Sequence, residues 1–371
     1  MSILTKFTGK NTNQYRRSAF WSYGVVIAGF ILVSAMNSAG MISNSLQGQL
    51  VPICAYIAMA VSLNLVVGIS GELSLGHAGF MSVGAFTGVI AATLFQSLPF
   101  LWVKLLIAIV VGGLFAGLAG VIIGVPVLRL RGDYLAIVTL AFGEIIRNVL
   151  NVIYVGLDEK GLQVATSMEG IHLSENGSMI LNGPMGATGI TKLSTFFAGF
   201  LLVLFTLFVV LNLVNSKHGR AIMAMRDNRI AAESVGLSAT NFKMTAFVTG
   251  AILAGMSGAL FALNYSTVAP VKFNFNTSIL VLVFVVLGGI GNITGSIISA
   301  AVLTILPEAL RQFSDYRMLT YAIVLILVML ATNNPQMKMF LSGLSKQVKA
   351  VFSKTKVYHR PQRAEEKGGA E

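Results

Sequence analysis

The chain has 371 residues, of which 55% are apolar and only 11% charged, with 38 glycines and a mean hydropathy of +0.79. Soluble domains carry roughly 25% charged residues, so a soluble enzyme or a nucleic-acid-binding module is excluded at the outset. The net charge of +12 tracks topology instead, and the single cysteine, Cys54, lies in an apolar run and cannot form an intrachain disulfide.

About 20 apolar residues at a rise of roughly 1.5 Å cross a bilayer core. Seven apolar runs meet that length approximately, all uncharged except the fourth, which carries Glu144 and Arg147: Ser18–Met36, Gln49–Gly68, Leu105–Val127, Tyr134–Val155, Thr195–Val214, Met244–Leu263 and Met318–Thr332. The first follows a polar segment without a small-residue cleavage site, so it reads as a span and not as a removed signal peptide. Two further stretches exceed one helix and are broken by glycine. Leu73–Val103 is expected to hold a half-helix plus a span, and Thr277–Pro307, interrupted by Gly288-Gly289-Ile290-Gly291-Asn292, reads as a helical hairpin. The expected fold class is an all-α polytopic membrane protein with about ten membrane-crossing elements, including broken helices.

The cations set the threading. Residues 1–17 carry Lys6, Lys10, Arg16 and Arg17 and no acid. Residues 126–133 carry Arg129 and Arg131 against Asp133, and residues 216–243 carry five Lys/Arg against Asp227 and Glu233. The tail 335–371 carries eight Lys/Arg against three Glu, whereas 156–182 carries Asp158, Glu159, Glu169 and Glu175 against Lys160 alone. This pattern predicts both termini in the cytoplasm. The expected organisation is a basic cytoplasmic N-terminus (1–17), a transmembrane domain (18–335) with an external loop at 156–190 and a cytoplasmic loop at 216–243, and a flexible basic tail (336–371). Small residues recur four apart at Gly84/Gly88, Gly113/Gly117, Gly120/Gly124 and Gly250/Ala254/Gly258. That spacing lets helices in lipid pack backbone to backbone.

No Gly-x4-Gly-Lys-Ser/Thr phosphate loop occurs, the four histidines (77, 172, 218 and 359) lack metal-ligand spacing, and no nucleophile–base set is visible. No ATPase or hydrolase site of its own, and no cofactor or metal, is expected in the chain. The loop 216–243 predicts one short helix, Arg229–Val235, stopped by Gly236. A short amphipathic helix between two spans suits docking into a groove on another protein; taken alone, the stretch reads first as a solvated positive-inside connector.

The run Ile230–Leu237, followed by Phe242-Lys243 and the Gly250–Ala262 helix, resembles the coupling loop of ATP-binding-cassette (ABC) importer permeases. More narrowly, it is similar to the permease family of branched-chain amino-acid importers. Gly68–Phe80, Leu128–Leu140 and Leu287–Asn292 match that family as well, and Gly183–Ile190 resembles its external Gly-rich loop. The resemblance runs from about residue 50 to 335 and is closest to the M-type of the two permease subunits; the acidic insert at 156–182, the basic tail beyond 340 and Ala187-Thr188 depart from it.

The resemblance implies an integral permease subunit of the cytoplasmic (inner) membrane, surrounded by lipid, carrying branched-chain or other neutral amino acids. It implies a second related permease, two ATPase subunits that consume the ATP, and an extracytoplasmic solute-binding protein, with no nucleic-acid partner. Coupling to the ATPase would fall on Arg226, Asp227, Ala231, Ala232, Glu233 and Gly236.

Gly68–Gly76 is a break between two apolar helices, and irregular backbone at membrane depth is tolerated only where protein or a wet cavity satisfies it. Free N–H and C=O groups there suit the two ends of a zwitterion. The candidate substrate pathway is therefore Gly71, Glu72, Ser74, Gly76, His77 and Phe80, with Glu72 and His77 alternatively only bonding the loop at the membrane edge. Glu144 with Arg147, and Glu308 with Arg311, have i,i+3 spacing and read as structural pairs. The rivals are a urea or short-amide ABC permease, an ion-coupled secondary transporter using Glu72, His77 or Glu144, and a channel.

Overall fold

The computed structural model describes residues 3–96, 98–130, 133–158, 161–171, 177–310, 319–320, 322–323 and 325–326. The expected span Met318–Thr332 is described at only six positions, all helical. The basic tail, Arg131, Arg311, and the acids Glu159 and Glu175 lie outside the described residues. Residues 1–312 form one compact unit and 313–371 a second; the first holds the helical bundle and its sheet.

Eleven helices are described: α1 (Ile3–Ser38), α2 (Asn44–Asn64), α3 (His77–Leu94), α4 (Leu101–Val127), α5 (Asp133–Val152), α6 (Phe196–Asn215), α7 (Lys217–Asp227), α8 (Arg229–Ser234), α9 (Ala239–Ala262), α10 (Phe275–Gly288) and α11 (Ile293–Ala309). Seven of them are long and apolar enough to cross a membrane, and α10 and α11 are shorter apolar helices. The expected hairpin at Thr277–Pro307 is this α10–α11 pair, whose turn is made by Gly289 and Gly291 at φ +93° and +82°. The stretch Leu73–Val103 instead holds a non-helical segment, the single span α3 and the start of α4, with no half-helix before α3. The N-terminal basic segment is helical too, because α1 runs unbroken from Ile3.

Small residues make the centre. α3, α4 and α9 pack together along their glycine stripes. A Cβ on Gly84 would strike the backbone of Gly255, one on Gly255 would strike Ala116, and one on Gly258 would strike the Met81 carbonyl. In lipid, burial of apolar surface does not drive helices together, so this close approach supplies dispersion contacts that larger residues would prevent. α2 is the most enclosed span. Its buried Asn64 fastens it to the hairpin: Nδ2 donates to Ser296 Oγ at 3.0 Å, and Oδ1 accepts from Gly291 N–H at 2.8 Å.

At one end of the bundle lies a small five-stranded antiparallel sheet, a departure from the all-helical expectation. Strands β1 (Tyr154–Asp158), β2 (Gly161–Ala165), β3 (Ser178–Asn182), β4 (Ala187–Thr188) and β5 (Thr267–Val268) are ordered β2-β1-β3-β4-β5. Tyr154 faces Ala165 on one side and Asn182 on the other, with a bulge between Val155 and Gly156. β5 follows α9, so Ala187↔Val268 ties the acidic segment to the far end of that helix. The loops joining α2 to α3, α6 to α9 and α10 to α11 gather at the opposite, basic end, where they touch one another through Gly68, Arg226, Lys243 and Gly291.

Candidate functional site

α2 ends in a π-turn, Leu65–Ile69, followed by seven non-helical residues before α3 begins at His77. π-turns inside membrane helices recur at functional positions. Gly71 supplies the reversal with φ +75°, a conformation costing about 1–2 kcal/mol for a residue with a Cβ. Its Cα also lies against the aliphatic stem of Arg226, so a side chain there would meet Arg226 Cγ.

The two halves of the break have different surroundings. The Gly68–Glu72 half is gripped from α7 and the first turns of α9: Arg226 Nη1 donates to the Gly68 carbonyl at 2.9 Å, and Lys243 Nζ pairs with Glu72 Oε1. Both partners of that ion pair are mostly enclosed, with side-chain exposures of 14% and 11%. Glu72 is therefore held by a charge from α9, a cation that the local sequence did not indicate.

The Ser74–His77 half points into the bundle. Ser74 and His77 are buried. Gly76 lies so close to α5 that a Cβ would strike the Thr139 carbonyl, and Thr139 Oγ1 accepts from Leu75 N–H at 3.1 Å. Ser62 Oγ donates to the Met59 carbonyl at 2.7 Å and is 2.9 Å from His77 Nε2. With the hydroxyl proton directed at Met59, we assign the ring proton to Nε2, which leaves Nδ1 as the acceptor. His77 Nδ1, Ser74 Oγ and Ser70 Oγ are buried and have no hydrogen-bond partner among the described residues. A buried unpaired polar group costs about 1–3 kcal/mol, and these three lie within eight residues, on the break and the first residue of α3. Phe80 is not among these groups; it is buried edge-on between His77 (6.0 Å) and Phe247 (5.5 Å) and supports the ring.

The other predicted residues sit at the basic end. The expected single helix is two: α7, capped by Ser216 Oγ accepting from Gly219 N–H, and α8, capped by Asn228 Oδ1 accepting from Ala231 N–H. α8 stops at Ser234, where Gly236 at φ +85° donates to the Glu233 carbonyl and Leu237 N–H to that of Ala232, a paired C-terminal cap. Asp227 accepts from Arg226 at 2.9 Å and so orients the guanidinium. Ala231 is exposed, but Ala232 is buried against Met225 and Ala239 and is unavailable to a partner. Glu233 is already paired, with Arg229 Nε at 2.8 Å. The large apolar side chains exposed here, missed in the sequence, are Ile230 on α8 and Val235 just after it, 82% and 75% exposed. Their spacing and apolarity on a basic segment were the available signal. Glu144 pairs with Arg147 at 2.7 Å as expected. Glu308 accepts from Ser45 Oγ at 2.5 Å.

The bundle thus has a broken helix in its interior, and side chains from α7 and α9 hold one half of that break. The family profile described as "Branched-chain amino acid transport system / permease component" matches residues 45–332. The high-affinity branched-chain amino-acid transport system permease proteins LivM of Salmonella typhimurium and Escherichia coli are each 38% identical to the chain over 301 residues, covering 76% of it and 69% of their own length. The L-arabinose ABC transporter permease protein AraH of Azospirillum brasilense is 27% identical over 278 residues, 74% of this chain and 73% of its own. No solved structure matches significantly. The chain belongs to the permease family of branched-chain amino-acid transport systems and is a multi-pass inner-membrane subunit of an ABC importer.

Proposed function

We propose that the chain forms half of the membrane core of an importer for branched-chain amino acids, paired with a second related permease. Two ATPase subunits would dock on its basic, cytoplasmic end, and a solute-binding protein on the sheet end. The chain itself would contribute no nucleotide site and no catalysis. The observation that carries this reading is the break at residues 70–76: its inner half leaves Ser74 Oγ and His77 Nδ1 unpaired among the described residues, while its outer half is held by Arg226 and Lys243.

The chemistry of the inner half suits a zwitterion. His77 Nδ1 accepts a hydrogen bond from an ammonium group, and the hydroxyls of Ser70 and Ser74 donate to a carboxylate or accept from an ammonium. Phe80 and Phe247 keep the surroundings apolar for an aliphatic side chain. Movement of α7–α8 when the ATPase subunits change shape passes to Gly68 through Arg226, and movement of the start of α9 passes to Glu72 through Lys243, shifting the broken segment. An ion-coupled carrier needs a carboxylate free to take up a proton. Glu72 and Glu144, the two candidate carboxylates for that role, are both committed to cations, and a separate docking helix would have no use.

The deciding measurement uses the complex reconstituted in liposomes with ATP inside and loaded binding protein outside. Wild type should accumulate labelled leucine with no proton gradient. The variant Gly76→Val, whose side chain would press on the Thr139 carbonyl, should assemble and lose uptake. Uptake driven by a proton gradient without ATP would reject the proposal.

A further inference from the structure

The route through the break needs an entrance, and the sheet end holds a cavity of about 580 Å³ between α2, the end of α9, the 3-10 turn Pro270–Phe273 and the first turns of α10. Its volume falls within the roughly 300–1,000 Å³ range of small-molecule sites. Tyr56, Phe261 and Leu280 give it apolar and aromatic walls, and no Asp or Glu is among its lining residues. The cation among them, Lys272, is exposed and placed with its ammonium 4.3 Å from the centre of the Tyr265 ring. No carboxylate is recorded within ion-pair distance of it among the described residues. The Lys272 ammonium thus offers one charged partner for an anionic group beside walls that suit an apolar one.

The cavity approaches the break at one shared lining residue. Asn274 lines it and lines a second, narrow crevice of about 10 Å³ bounded by Leu75, Gly79, Gly143 and Ser278. Ser278 Oγ, one helical turn below Asn274, accepts from Ala78 N–H at 3.1 Å, at the buried end of the break. A single turn of α10 therefore separates the cavity from His77 and its neighbours. α10 has only 14 residues, about 21 Å at the usual rise, and its first turn meets the first turn of α3 inside the bundle.

We infer that this cavity is the receiving vestibule of the transporter, in which Lys272 takes the α-carboxylate of a small aliphatic amino acid while the Tyr56–Phe261–Leu280 wall takes its side chain. The inference rests on the amino-acid-importer reading and adds to it where the substrate first sits and which residue selects for a carboxylate. The ammonium end then points toward Asn274 and the crevice, and so toward the acceptor on His77.

The test uses the full reconstituted complex carrying Asn276→Cys, at the cavity wall, in a Cys54→Ala background, with labelling by an impermeant maleimide from the sheet side. L-leucine and isovalerate, which keep the carboxylate, should slow labelling at millimolar concentration. Isoamylamine, which lacks it, and inorganic phosphate, which lacks the aliphatic part, should not. Adding Lys272→Met should raise the concentration needed for protection about tenfold, the loss expected for one hydrogen bond to a charged group, and Lys272→Arg should restore most of it. Gln49→Cys, across the cavity on α2, should repeat the pattern. Equal protection by all four compounds, protection by none, or protection unchanged in Lys272→Met would each overturn the vestibule. Leucine uptake by the wild-type complex is measured in parallel. Uptake without protection rejects the vestibule alone, and absence of ATP-driven uptake rejects the importer reading together with it.

Discussion

Arg226 Nη1 reaches the carbonyl of Gly68 at 2.9 Å across 158 residues of sequence, joining the last turn of α7 to the π-turn that ends α2. The same guanidinium is held from behind by Asp227, through Nε at 3.0 Å and Nη2 at 2.9 Å. One planar group thus spans the cytoplasmic-type helix pair and the broken helix, which a lysine could not do with a fixed fork. Arg226→Met should leave assembly intact and lose a bond worth about 1.5–3 kcal/mol. ATP hydrolysis should continue while leucine uptake per ATP falls. Arg226→Lys should recover little of it. Normal coupling in Arg226→Met would reduce the contact to a helix-end bond.

The Glu72–Lys243 pair makes a separate expectation. Removing one member leaves the other charge enclosed, which costs about 3–5 kcal/mol for a fully buried pair and somewhat less here. Lys243→Met should therefore lower thermal stability in detergent more than the double variant Glu72→Gln/Lys243→Met does. A coupling energy near zero in that cycle would show the two groups to be independent.

Much of this was legible from the sequence wherever the signal was local. The spans follow from apolar length, and the α10–α11 turn from Gly289 and Gly291, which need positive φ. The break followed from Gly71 and Gly76. What could not be read depends on partners distant in sequence. β4 pairs with β5 79 residues away through only two residues of each strand, too short for an alternation signal. α7 was hidden because Gly219 and two basic residues crowd its first turn, while its cap depends on Ser216. Ala232 faces inward because α8 folds back on Met225 and Ala239, a fact of tertiary packing with no trace in a six-residue helix. The roles proposed for Ser74, His77 and the α8 residues likewise rest on three-dimensional placement.

Orientation can be checked directly. The basic end should be cytoplasmic and the sheet end external, from the distribution of Lys and Arg. In a Cys54→Ala background, cysteine at Met185, which is exposed beside β4, should react with an impermeant reagent in intact cells. Cysteine at Ser234 should react only after the membrane is opened. Labelling of position 234 from outside would reverse the threading and with it the docking side.

The docking surface itself makes the last prediction. Ile230 on α8 and Val235 at its C-terminal cap stand out into solvent, and an apolar pair beside the Arg229–Glu233 ion pair suits seating of a short helix in a groove. Ile230→Asp should therefore lower retention of the ATPase subunits without disturbing the fold, because the side chain is already exposed. Gly236→Val acts differently. A Cβ there meets no atom within 4 Å, so the cost is the left-handed backbone alone, about 1–2 kcal/mol, and it releases the cap that sets the angle between α8 and α9. That variant should keep some ATPase bound but lose stimulation of hydrolysis by loaded binding protein. Co-purification and stimulated ATPase rates separate the two effects. If both variants keep wild-type retention and stimulation, α8 is only a connector, and the ATPase must engage the bundle elsewhere.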